Sequence, residues 1–260
     1  MNRLEEPLPL VESETSNNLS PAPSLAEKGS LAEKGFAEAW GGRLEEADDW
    51  RHDSSITTFT PVHYERGYAY PLLVWLHDEG QSEHDLPNVM ASLSKRNYVA
   101  VAPASPNGAV AWPQSLEGIE AGESRIVDAI ETAVAKFNVH SERVFIAGVG
   151  AGGAAALRVA LANPEWFAGA ASFDGPMPMG HSPLRRVNDA RDLPLMITVG
   201  AESRRYPQSQ ACRDLRLLHS AGCSLSIRQE PGDGDLTTTM LAELDRWMMN
   251  IVCGQGAVTC

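Results

Sequence analysis

Four carboxylates follow apolar segments of the chain and could take part in binding or acid–base chemistry. Asp78 and Glu79 come shortly after one apolar run, Asp174 ends another, and Asp235 ends a glycine turn. Clustered carboxylates could hold a hard cation or an amine, and His181, seven residues after Asp174, could pair with it as an acid–base dyad. Because no ligand spacing such as that of an EF-hand loop is present, we favour a solvated acidic cleft and predict no metal and no cofactor.

The elements that position these residues are short apolar runs that alternate with helical patterns. The patterns predict strands at residues 56–64, 72–76, 98–102, 144–147, 167–173, 195–199 and 225–228, and helices at 86–94, 123–137, 151–162, 209–221 and 236–251. Such alternation predicts an α/β fold with a mostly parallel central sheet and helices on both faces. The four carboxylates then follow strands at the carboxyl edge of the sheet, where α/β proteins bind ligands.

Three sequence strings carry a family resemblance: Tyr70–His77, Arg143–Ala154 and Pro194–Gly200. In order and spacing, between about residues 56 and 252, they resemble the α/β-hydrolase superfamily. More narrowly, they resemble the phospholipase/carboxylesterase and polyhydroxybutyrate-depolymerase-like esterases. The resemblance implies the α/β-hydrolase fold and carboxylic-ester hydrolysis by a serine on a Gly-x-Ser-x-Gly turn, assisted by an acid and a histidine.

The positions that match the family's catalytic triad hold other residues in this chain. The turn reads Gly148-Val-Gly-Ala-Gly152, so Gly150 stands at the nucleophile position. Ser203 stands where the family has its acid, with Glu202 beside it, and Asp235 stands where the family has its histidine. Asp235 also precedes the last helical pattern, which predicts that it caps that helix.

Two further observations favour true loss of the triad over a misplaced alignment. The nearest serines, Ser141 and Ser172, do not lie on a glycine turn, and no histidine follows His219. Since α/β-hydrolases carry the triad in the order nucleophile, acid, histidine, the usual arrangement cannot be drawn on this sequence.

The loop that resembles the family's oxyanion-hole segment also departs from its pattern. His77-Asp78-Glu79-Gly80 replaces His-Gly-Gly-Gly, which places negative charge where an oxyanion would develop. We expect His77 to bond neighbouring backbone. The helix that begins near Ala151 is expected to direct unpaired N–H groups at the cleft. Because Asp78 and Glu79 would oppose an anion, a neutral carbonyl compound or a zwitterion is the predicted small ligand.

Residues 1–53 differ in composition from the rest of the chain. They carry 12 Asp/Glu against 5 Lys/Arg and include the tandem repeat Ser24–Gly29 and Ser30–Gly35. Such a segment buries too little apolar surface to offset its ordering entropy, which predicts a flexible acidic tail before a hydrolase-like domain at residues 54–260. Trp40 and Trp50 are expected to pin the end of the tail to that domain.

Overall charge and hydropathy exclude other classes of protein. The net charge is -13, and no clustered basic stripe is present, which argues against nucleic-acid binding. No apolar run approaches the roughly 20 residues that a membrane helix needs, and a cytoplasmic location is expected.

Two functions remain open from the sequence. The first is a catalytically inactive esterase homologue that serves as a binding or regulatory module, with a small ligand or a protein as its partner. The second is a hydrolase whose active site has been rebuilt with residues such as Asp174, His181 or Glu202.

Overall fold

The computed structural model describes residues 55–106, 108 and 111–254 of the chain. Strands and helices alternate along this part, in the order β1 (Ile56–Phe59), β2 (Tyr70–Leu76), α1 (Leu86–Leu93), β3 (Val99–Pro103), α2 (Leu116–Lys136), β4 (Val139–Val149), α3 (Ala151–Ala162), β5 (Gly169–Phe173), β6 (Pro194–Gly200), α4 (Gln208–Ser220), β7 (Ser224–Glu230) and α5 (Thr238–Val252). Each strand and helix that the sequence predicts is present; the helix at Ala151–Ala162 has the predicted boundaries, and the other elements differ at one or both ends.

The strands form one sheet in the order β1-β3-β2-β4-β5-β6-β7. Strand β1 runs antiparallel to β3, and the other neighbours are parallel. The prediction of a mostly parallel sheet covered by helices is therefore confirmed. The parallel strands end at one edge, which gathers the loops after β2, β4, β5, β6 and β7.

The core lies on both faces of the sheet because successive side chains of a strand point to opposite sides. In β2, Leu72 and Val74 pack in the same cluster as residues of α2, α3 and α4. Leu73 and Trp75 pack instead with residues of α1 and α5. Every residue of β2 is buried, as expected for a central parallel strand.

Two boundaries differ from prediction for identifiable reasons. Strand β1 ends at Phe59 because the chain turns at Pro61, where the Tyr64 N–H donates to the Pro61 carbonyl at 3.1 Å. Helix α2 begins at Leu116, about two turns early, because the Ser115 side chain caps it by accepting from the Gly118 N–H at 3.2 Å. The apolar stripe begins later, so periodicity alone missed these turns.

The predicted tail at residues 1–53, with its repeat and two tryptophans, lies outside the described residues, and the domain boundary stays a prediction. Among the described residues, no helix is both long enough and apolar enough to cross a membrane.

Candidate functional site

The turn between β4 and α3 has the sharp backbone that a nucleophile turn requires. Gly150 adopts φ 54° and ψ -117°, a conformation that is strained for any residue with a side chain. Its N–H donates to the Phe173 carbonyl at 2.8 Å. A Cβ on Gly152 would overlap the carbonyl oxygens of Leu76 and His77. Close packing against the end of β2 therefore fixes the shape of this turn.

The space beside Gly150 is filled by an ion pair. A Cβ added to Gly150 would overlap both the Asp78 carboxylate and the Arg205 guanidinium. Asp78 Oδ1 accepts from the Ala151 N–H at 3.0 Å, and Asp78 Oδ2 lies 2.5 Å from Arg205 Nη1. The Asp78 side chain is 11% exposed, whereas that of Arg205 is 44% exposed. A carboxylate at this place is favoured by the N-terminus of α3 as well as by Arg205.

This contact corrects one expectation from the sequence. The N–H of Ala151 was expected to be unpaired and to face the cleft, but it donates to Asp78. The loop after β2 does not simply repel an anion, because the Asp78 carboxylate is itself the anion that Ala151 and Arg205 bind. The predicted neutral or zwitterionic ligand thus loses the donor on which that prediction rested. Sequence reasoning also missed Arg205, which no motif distinguishes from the adjacent Arg204.

His77 is buried beneath the same loop, and both of its ring nitrogens are engaged. Its Nε2 accepts from the Ser105 N–H at 3.3 Å, so Nδ1 carries the ring proton and donates to the Asp78 carbonyl at 2.9 Å. The Trp112 Nε1–H donates to the His77 carbonyl at 3.0 Å. The ring therefore holds the backbone that presents Asp78.

A second polar cluster surrounds Asp174, which directly follows β5 and adopts a left-handed conformation at φ 51°. Its Oδ2 accepts from the Ser203 hydroxyl at 2.7 Å, and its Oδ1 accepts from the Gly200 N–H at 3.1 Å. Burial raises the pKa of Asp174, while these two hydrogen bonds oppose that shift. Gly234 lies so close that a Cβ on it would overlap the carboxylate. The cluster thus joins the loops after β5, β6 and β7.

The remaining predicted residues lie apart from these contacts. His181, Glu202, Asp235 and Glu79 are exposed. Asp174 makes its hydrogen bonds with Ser203 and Gly200 and with no histidine of the described part of the chain. Residues 55–254, leaving aside the three undescribed positions between 106 and 111, contain no group of three or more His, Cys, Asp or Glu placed to hold a metal ion.

Asp235 is also not the cap of the last helix, contrary to prediction. The N-cap of α5 is Thr237, whose hydroxyl accepts from the Met240 N–H at 3.2 Å. Asp235 lies two residues too early, because the chain is still in the turn that brings Gly234 against Asp174.

Known proteins resemble this chain in sequence and in fold, although no protein-family model matches it. A probable carboxylesterase of Oryza sativa subsp. japonica is 25% identical over 204 residues, which cover 68% of this chain and 76% of that protein. Carboxylesterase SOBER1 of Arabidopsis thaliana is 24% identical over 217 residues, covering 74% and 95% of the two chains.

Solved structures of other proteins also superpose on this chain. The crystal structure of Arabidopsis thaliana SOBER1 superposes with a TM-score of 0.60 at 21% identity, covering 71% of this chain and 100% of that one. The structure of Zea mays acyl-protein thioesterase 2 superposes with a TM-score of 0.64 at 17% identity, covering 76% and 99%. The chain therefore has the α/β-hydrolase fold, and its sequence homologues are carboxylesterases.

Proposed function

We propose that this protein is a non-catalytic homologue of the carboxylesterases, which uses the α/β-hydrolase fold as a binding or regulatory module. The observation that carries the proposal is the state of position 150. Gly150 offers no nucleophile, and the space that a side chain at this position would enter holds Asp78 and Arg205.

Other features of the described residues also support the proposal. The backbone N–H that follows the nucleophile position forms part of the oxyanion hole in this fold, and here the N–H of Ala151 is bound to Asp78. No histidine follows His219 in the sequence, and both ring nitrogens of His77 are engaged. Loss of the serine or the histidine alone costs about 10⁶ in rate in a serine protease. Residual hydrolysis would be hard to separate from background.

The alternative is a hydrolase with a rebuilt active site. We place such a site at Asp174, which is buried, whereas His181 and Glu202 are exposed and form no hydrogen bond with it. Asp174 contacts one hydroxyl, that of Ser203, which makes this serine the candidate nucleophile of the alternative. Among the described residues, no histidine forms a hydrogen bond with Asp174 or Ser203, and we therefore favour the non-catalytic proposal.

The two proposals are separated by labelling with a fluorophosphonate probe, followed by intact-mass measurement and peptide mapping. We expect no stoichiometric adduct and no hydrolysis of p-nitrophenyl butyrate above that of the heat-denatured protein. Labelling of Ser203, abolished in Ser203→Ala, would establish the rebuilt site and overturn the non-catalytic proposal. Labelling at any other serine would overturn the non-catalytic proposal and also the assignment of Ser203 as the nucleophile of the alternative.

A further inference from the structure

We propose that the Ala151 N–H and the Arg205 guanidinium form a carboxylate-binding site, which Asp78 occupies as an intramolecular ligand. The inference deepens the proposed function and rests on it, since the same position would hold the acyl group in an active esterase. It names carboxylates as the ligand class of the site. In the wild-type protein, Asp78 in the loop after β2 occupies the site and competes with any free carboxylate.

Two donors from different loops converge on one carboxylate. The N–H of Ala151, from the β4–α3 turn, reaches Oδ1, and Arg205, from the loop after β6, reaches Oδ2. Each oxygen therefore has its own donor, and the arginine supplies the compensating charge. The missing Cβ of Gly150 leaves the room in which the carboxylate lies.

The backbone of the Asp78 loop is held independently of this carboxylate. The Asp78 carbonyl accepts from His77 Nδ1 at 2.9 Å and from the Gln81 N–H at 3.2 Å. The Asp78 N–H donates to Gln81 Oε1 at 3.2 Å. Truncation of the Asp78 side chain should therefore empty the site while its walls stay in place.

The chemistry of the donors selects the ligand. A neutral carbonyl compound could accept from Ala151 but would leave the charge of Arg205 without a counter-ion. A monocarboxylate satisfies both donors, as Asp78 does. Because the Arg205 side chain is 44% exposed and that of Asp78 only 11%, a free acid would enter and leave on the arginine side. In the wild-type protein the tethered carboxylate competes at high effective concentration and keeps free acids out.

The experiment replaces the tethered carboxylate by a free one. The melting temperature of Asp78→Ala is measured in sodium acetate, in sodium chloride of equal ionic strength, and in sodium chloride with acetamide. We expect acetate at 100 mM to raise the melting temperature of Asp78→Ala by about 2–4 °C over chloride. Acetamide should not do so, and the wild-type protein should not respond. The gain should disappear in the double variant Asp78→Ala/Arg205→Ala.

Two further variants keep the test decisive. Asp235→Ala removes an exposed carboxylate at the same sheet edge, and its melting temperature should be equal in acetate and chloride. Asp78→Asn keeps the side-chain volume and is the second variant in case Asp78→Ala does not fold. Its gain in melting temperature in acetate should be smaller than that of Asp78→Ala, because the neutral amide still occupies the site, although more weakly than the carboxylate. Equal melting temperatures in acetate and chloride for both Asp78 variants would overturn the carboxylate site. That result would not affect the non-catalytic proposal. Labelling by the fluorophosphonate, with the acetate gain still observed, would overturn the non-catalytic proposal and not the carboxylate site.

Discussion

The turn after β4 and the loops after β6 and β7 form the same edge of the sheet but differ in what fixes their shape. The turn is defined by backbone packing: Gly152 lies against the end of β2 with no room for a Cβ. The loops are held by hydrogen bonds: the N–H groups of Ala201 and Glu202 donate to the carbonyls of Glu230 and Gly232 at 2.7 Å, and Asp174 accepts from Ser203 and from the N–H of Gly200. The turn thus has a backbone fixed by close packing, whereas the loops depend on hydrogen bonds, including those to the buried carboxylate of Asp174.

At this edge of the sheet, the backbone of the turn and the side chains of the loops are fixed by different interactions. A turn built into the packing of the sheet persists whatever residue stands at its tip, because changing it would disturb the core. The side chains at this edge are not fixed by that packing alone and can differ between proteins that share the fold. Resemblance to a family therefore predicts the turn well and the catalytic groups poorly.

The largest effect is expected from Gly152→Ala. The added Cβ would overlap two backbone carbonyls of the β2 end, which cannot move without shifting a central strand. We expect a loss of at least about 3 kcal/mol in the free energy of unfolding, measured by urea denaturation. The matched control is Gly122→Ala in α2, where the Cβ would lie 3.5 Å from the Trp112 ring in ordinary contact. That variant should be neutral or slightly stabilising, and equal losses in both would contradict the packing argument.

A smaller loss is expected from Gly150→Ser. The substitution combines backbone strain at a positive φ with overlap against Asp78 and Arg205, for a cost of about 2–4 kcal/mol in unfolding free energy. Gly80→Ser is the control, because Gly80 also has a positive φ, at 77°, but its Cβ would meet nothing within 4 Å. The excess loss of Gly150→Ser over Gly80→Ser measures the overlap, and no excess would mean that the ion pair yields freely. Gly150→Ser should also remain without esterase activity.

The polar cluster should give the protein a distinct pH dependence. Because burial raises the pKa of Asp174 in the folded state, the folded protein holds its proton over a pH range in which the unfolded chain has released it. The stabilisation from this group is present below the ordinary pKa of an aspartate and is lost as the pH rises through the raised value. Urea denaturation between pH 4 and pH 7 should show wild type losing unfolding free energy relative to Asp174→Asn. A difference that grows in favour of wild type as the pH rises would contradict this direction.

The smallest effects concern the start of α5. Thr237→Ala removes the N-cap hydroxyl bonded to the Met240 N–H and should cost about 1 kcal/mol of unfolding free energy. Asp235→Ala, at the exposed residue that the sequence suggested as the cap, should change it by less than about 0.5 kcal/mol. A larger loss of unfolding free energy in Asp235→Ala than in Thr237→Ala would mean that Asp235, and not Thr237, caps the helix.

The sequence predicted the elements well because the apolar runs and stripes that mark them are local. It also singled out Gly150 and Asp78 as departures from the family pattern. It did not predict their contact, because the Asp78–Arg205 pair joins loops far apart in the chain, and an arginine beside another arginine carries no spacing signal. It did not predict the cap at Thr237. The length of the turn before α5 depends on the tertiary contact of Gly234 with Asp174, which local sequence does not reveal.

Asp78 occupies the position beside Gly150, and the amide proton of Ala151 reports directly on that contact. Hydrogen exchange of this amide, followed by NMR, should be slow in the wild-type protein and at least about tenfold faster in Asp78→Ala. The amide of Ala154, which donates to the Gly150 carbonyl at 3.0 Å, serves as the internal reference and should exchange equally slowly in both proteins. If Ala151 exchanges at the same rate in wild type and in Asp78→Ala, Asp78 does not hold that N–H and does not occupy the position beside Gly150.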